Sequence, residues 1–314
     1  MKERYEREIK AGFPYPIVAY FIKLGTDEGL DPGPFRLQYI LATAEAIARF
    51  LGMVVLCESR ELLEESEAEP PKALTADFHK RFKAPTWGNW MHCTREGLKW
   101  LDAAGADLAM PELIPFFFKK VPTESSAANA LNKLTTIRNK RLSHPVSAMP
   151  PAEVAGLCEE TYPLLEEVLE ALNFLLDYEL AFISQIEVDH KRKNPPTFLH
   201  RSSKVMGGIT PFMGDRKKLN AFMDSSAILL LNTENRRYLN LDPLLVKEES
   251  AGRAPDIFFF NGMNEAGKCQ YVACNQGGEF LSTDEKCEKG QELAREIQNF
   301  VRLFTPRNKE TASG

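Results

Sequence analysis

Apolar positions in the first 190 residues recur at helical spacing, and beyond about residue 190 they give way to short β-rich runs separated by turn residues. From about Phe35 to Arg60, Leu37, Leu41, Ala44, Ala48, Leu51 and Val55 share one helical face, and Asp31-Pro-Gly-Pro34 predicts a sharp start. The acidic stretch Glu61 to Pro71 ends in Pro-Pro and predicts a loop. Residues 87–103 predict a second amphipathic helix carrying Trp90, Leu98, Trp100 and Leu101, and Met110 to Lys120 a short one with three consecutive phenylalanines. A helix over Ala127 to Leu142 follows. Pro150 and Pro151 then open a last long helix, Ala152 to about Val188, whose apolar side holds Leu164, Leu165, Val168, Leu172, Leu175, Leu176 and Leu180, with Pro163 as the candidate kink.

Asp189 to Pro196 is charged, ends in prolines and lacks apolar period, which predicts a linker. Past it, Ala227 to Leu231, Arg237 to Leu241, Leu244 to Glu248, Asp256 to Asn261 and Cys269 to Cys274 read as strands. Gln291 to Phe304 is an amphipathic helix able to cover the resulting sheet. The expected fold class is α+β: an all-helical bundle over residues 1–188, then a smaller β-rich domain over 197–314 with a C-terminal helix.

Composition narrows the class. At 314 residues with 44% hydrophobic content, about two domains with real cores are expected. The charged start Met-Lys-Glu-Arg leads into no apolar segment, and the apolar stretch from Ile40 to Cys57 is interrupted by Glu45 and Arg49, so neither a signal peptide nor a membrane span is expected. Six scattered cysteines without a CxxC pair argue for reduced thiols, against zinc and against a disulfide framework. A cytoplasmic protein without cofactor or metal is the expectation. A net charge of −5 excludes a general nucleic-acid coat, so contact with RNA would come from local basic patches. The β-rich half contains no Gly-rich phosphate loop, no GxSxG and no His pair at metal spacing.

One segment breaks the pattern. Residues 138–144 read Arg-Asn-Lys-Arg-Leu-Ser-His, closed by Pro145. On a helix, Leu131, Leu134 and Leu142 fall within about 40° of Arg138, placing a guanidinium in the apolar stripe. Burying it unpaired costs several kcal/mol, so a carboxylate, a phosphate or a cleft is expected beside it. Glu45, on the apolar face of its own helix, is the candidate carboxylate for a structural ion pair. His144 lies about 120° further round, but Pro145 disfavours the helical conformation there and lets the imidazole swing back, so that Arg138, Asn139 and His144 can line one site. A helix C-terminal cap is the plainer role for His144. Trp87, Trp90 and Trp100 read as core, and the basic runs at 80–83, 191–193 and 236–237 as solvated faces.

An Arg, a polar residue and then a His, on the C-terminal part of a helix lying between two long helices, resembles the signature of HEPN domains over roughly residues 15–188. In that family the Arg and His of two protomers meet across a dimer interface and cut RNA without metal. The resemblance implies a metal-independent endoribonuclease of a bacterial defence or toxin-like kind. Its catalytic residues would be Arg138, Asn139 and His144, supported by Glu45 and Arg141. It also implies a homodimer built on the N-terminal bundle, with the C-terminal domain free to recognise a protein partner or trigger. Some members are inactive scaffolds, so the alternative is a non-catalytic dimerisation, interaction or nucleotide-binding module.

Overall fold

The computed structural model describes residues 3–66, 68–141, 149–190, 195–208, 212–219, 223–232, 237–248, 255–265, 267–274, 280–282 and 288–305. Three short helices, α1 (Glu3–Gly12), α2 (Tyr15–Phe21) and α3 (Asp27–Leu30), lead into α4 (Pro34–Glu65). Gly33 caps α4 in an extended conformation and Pro34 takes the first helical position, where the missing N–H has no intrahelical partner to lose. Leu37, Ile40, Ala44, Ile47, Phe50, Met53 and Val54 are all buried, so the middle of α4 is enclosed on nearly every side. By length and composition α4 could cross a membrane, yet 83% of its most apolar window is buried inside the fold. It continues past Arg60 to Glu65, so the acidic stretch expected as loop begins as helix.

After α5 (Lys72–Thr75) and α6 (Phe78–Lys83), α7 (Trp87–Ala103) packs across α4 on two glycines. A Cβ on Gly52 would stand 3.0 Å from Trp90 Cε3, and one on Gly97 would stand 2.6 Å from Val55 Cγ1. At Gly97 only hydrogen lets the helices approach so closely, while at Gly52 a methyl group would require Trp90 to give by a few tenths of an ångström. The helix expected over Met110 to Lys120 is a single turn, α8 (Leu113–Phe117), because the next residues pair as a hairpin of β1 (Phe118–Lys120) and β2 (Thr123–Glu124). Then come α9 (Ser126–Arg141) and α10 (Pro151–Ala171), which accommodates Pro163 within one continuous helix.

The long helix expected to reach Val188 ends at Ala171. A 3-10 turn over Asn173–Asp177 leads into β3 (Tyr178–Asp189). Leu172, Leu175, Leu176 and Leu180 satisfy a helical spacing and nothing between 172 and 188 is Gly or Pro, so no breaker marks the change. Pairing decides it: β3 is bonded on both sides, to β4 (Thr197–Lys204) and to a later strand. The division expected at 188–197 thus falls inside an antiparallel hairpin in which Asp189 faces Thr197.

The remaining strands are β5 (Met213–Leu219), β6 (Ile228–Asn232), β7 (Tyr238–Asn240), β8 (Leu245–Glu248), β9 (Asp256–Met263), β10 (Cys269–Ala273) and β11 (Phe280–Ser282), closed by α11 (Glu288–Leu303). They form an antiparallel five-stranded sheet in the order β5-β4-β3-β6-β7 and an antiparallel four-stranded sheet in the order β11-β10-β9-β8. The fold is therefore α+β. One apolar core runs from Ile9 to Phe304 through helices and both sheets, and a smaller one around Ala181, Ile183 and Leu229 lies on the five-stranded sheet. Aromatic stacking seals both the four-stranded sheet and the C-terminal helix to α6: Phe82 lies 4.5 Å from Phe260 of β9, and Phe78 lies 4.6 Å from Phe304, just past α11.

Candidate functional site

Helix α9 carries the segment that broke the sequence pattern. Ser125 starts it by accepting from Ala128 N at 3.1 Å while its own backbone N–H donates to Phe117 O, so the helix begins on the end of α8. Ala127, Ala128, Ala130, Leu131, Leu134 and Ile137 form its buried face against α4 and α10. Asn132 fixes it from the side. The Asn132 amide donates to Glu124 Oε2 at 2.7 Å, its oxygen accepts from Arg95 Nη2, and Arg95 Nε lies 3.0 Å from Glu124 Oε1. One network so ties α9 to α7 and β2.

Arg138 does continue the buried face by angle, but among the described residues of α9 burial ends one residue earlier, at Ile137. Its side chain is exposed, and the guanidinium donates to Asn139 Oδ1 at 3.1 Å. The expectation of an apolar setting for Arg138 is thereby corrected: helical periodicity gives an azimuth, while burial also requires something for the face to lie against. The ion pair expected with Glu45 is corrected as well. Glu45 Oε1 is 3.1 Å from Arg49 Nη2, one turn along α4, and Arg49 Nη1 donates to Asn261 Oδ1 at 3.1 Å. Arg141 is the last residue of α9, with its side chain outside the described residues, and His144 lies outside them altogether. Arg138 and Asn139 are thus brought together at an exposed helix end, and Glu45 belongs to a different contact.

Beside this helix end runs a groove of about 680 Å³ between α9 and α10. Lys133 and Lys140 line it from α9, Lys119 from β1, and Glu160 and Glu167 from α10, all of them exposed. The lysine pair and the glutamate pair each sit seven residues apart, two turns along one helix face. Neither pair stands among the sequence expectations, although the spacing of both is plain in the chain.

A second titratable group stands out, buried on the C-terminal half of α4. Glu58 of α4 is 4% exposed and accepts from Met110 N at 3.1 Å. Burial pushes its carboxyl up to about 7, against the lowering effect of the backbone donors at Met110 and Ala109. It lies among apolar residues of α4 in sequence, and the signal that could have found it is a carboxylate in the run Met53 to Ser59. Among the described residues no group of three or more His, Cys, Asp or Glu side chains is arranged to hold a metal ion. No family model, no curated protein and no solved structure matches this chain.

Proposed function

We propose that this protein is a metal-independent endoribonuclease of HEPN type, active as a homodimer through its helical part, with a β-rich part that recognises a partner or trigger in a defence or toxin-like setting. The observation that carries the reading is the state of Arg138: an exposed guanidinium at the end of α9, with no carboxylate partner among the described residues and Asn139 beside it. The helical surroundings fit a HEPN-like bundle, since α9 follows α4 and α7 and precedes α10.

Cleavage of RNA through its own 2′-hydroxyl needs a base for that proton, an acid for the departing 5′-oxygen, and positive charge on the phosphorane between them. His144, three residues past the end of α9, takes the proton roles, worth about 10² to 10⁴ in rate. Arg138 provides a planar fork that fits two phosphate oxygens at once and never loses its charge. Asn139 orients the guanidinium through the bond it already makes. Two protomers related by a two-fold axis would supply two imidazoles to one cleft.

The experiment is incubation of purified protein with mixed RNA in EDTA, wild type beside His144→Ala. Cleavage that persists in chelator, leaves 2′,3′-cyclic phosphate ends and disappears in the variant is expected. Absence of any cleavage by a folded dimer would favour the non-catalytic module, and products with 5′-phosphate would point to metal chemistry.

A further inference from the structure

We propose that the groove between α9 and α10 is a binding site for single-stranded RNA, with phosphates along Lys133 and Lys140 and the ribose-hydroxyl and base N–H edges toward Glu160 and Glu167. The class of ligand rests on the ribonuclease reading; its place rests on the groove alone.

The two walls of the groove differ in sign. Lys133 and Lys140 stand about 10.5 Å apart along α9, more than one nucleotide step, with Lys119 beside them on β1. None of the three has a carboxylate within ion-pair distance among the described residues, so their charge is free to meet a phosphate. On the opposite wall Glu160 and Glu167 repel phosphate and accept from N–H and O–H donors. A uniform polyanion suits only half of this groove. Single-stranded RNA suits both halves, because one edge of the chain is phosphate and the other presents 2′-hydroxyls and unpaired base amino and imino groups. Duplex RNA hides those base donors in pairing, and DNA lacks the hydroxyl.

Lys140 lines the groove and belongs to the same turn of α9 as Arg138, which points about 160° away around the helix. The lysine wall is therefore separate from the proposed cutting residue and can be altered without touching it.

The test uses the full chain carrying His144→Ala, so that RNA survives the measurement, and follows a fluorescent single-stranded RNA by anisotropy over a range of salt concentrations. Lys133→Gln with Lys140→Gln is expected to weaken binding about 10-fold and to reduce the slope of log K against log salt by about 1.4, about 0.7 for each phosphate no longer neutralised by a lysine. Glu160→Gln with Glu167→Gln is expected to keep affinity and narrow the preference for single-stranded RNA over duplex RNA and over DNA of the same sequence. Unchanged affinity and slope in the lysine pair overturns the proposal, as does equal binding of all three nucleic acids by the parent. Because the four residues are exposed, both double variants should unfold at the parent's temperature. The two readings separate cleanly. RNA cleavage by wild type with no effect of the lysine pair on binding rejects the groove alone, whereas lysine-dependent binding without cleavage rejects the ribonuclease alone. Absence of RNA binding rejects both.

Discussion

Arg49 holds Glu45 at 3.1 Å on α4 and reaches Asn261 on β9 with its other guanidinium nitrogen. This contact removes the nearest structural reason for the cation at 138, because the carboxylate that could have neutralised Arg138 is taken by a neighbour four residues away. It also joins the central helix to the four-stranded sheet. The two arginines should therefore respond unequally to truncation. Arg49→Ala is expected to cost about 1–3 kcal/mol, since it leaves a half-buried carboxylate without its donor. Arg138→Ala is expected to stay within about 0.5 kcal/mol of wild type. Urea unfolding followed by circular dichroism reads both, and a large loss in Arg138→Ala would return that residue to a structural role.

Activity should be sensitive to the shape of the cation at 138 as well as its charge. Arg138→Lys keeps the charge and loses the fork, so RNA cleavage in chelator is expected to fall nearly as far as in Arg138→Ala, with the fold unchanged. Full activity of the lysine variant would argue that 138 acts only as a distant charge.

Each chain brings one imidazole, His144, to the proposed site, too few for a base and an acid at the same phosphate, so the active species is expected to be a dimer. Light scattering at micromolar concentration should give about twice 35.4 kDa. A strict monomer with undiminished cleavage would remove the second protomer from the mechanism.

Glu58 links stability to pH. Its folded pKa is raised from the ordinary 4.5 to about 7, so the folded state holds the proton more tightly than the unfolded chain. The stability contributed is full below about 4.5 and is lost as pH rises toward 7, on the order of 2–3 kcal/mol across that window. Glu58→Gln, which keeps an acceptor for Met110 N without the titration, should flatten this part of the profile. An unchanged slope between pH 4.5 and 7 in the variant would assign it to other groups.

At the crossing of α4 and α7 there is no room for a methyl group at Gly97, whose Cβ would sit 2.6 Å from Val55 Cγ1. Gly97→Ala is expected to cost about 1–3 kcal/mol despite its better helix propensity, and Gly97→Ala combined with Val55→Ala should recover part of that stability. A lowered urea midpoint with an unchanged m value is the expected signature.

Much of the chain was legible before folding. The helices over 87–103 and 126–141, the start of α4 at Pro34, the α11 helix and five strands between 227 and 274 follow from apolar period, Pro and Gly punctuation and β-branched runs. These are local properties, carried by residues within one or two turns of each other. Three matters were decided by contacts far apart in the chain. Residues 178–189 became a strand because β4 and β6 offered hydrogen bonds on both sides, overriding a leucine spacing that suits a helix. Polar strands β4 and β5 were invisible for the same reason: their stability lies in cross-strand partners, as with Arg201 of β4 and Lys217 of β5 paired to Glu187 and Glu179 of β3, and little in their own alternation. Arg138 ended in solvent because a helical azimuth says which way a side chain points, and only the packing of α4 and α10 against α9 says where the protein stops.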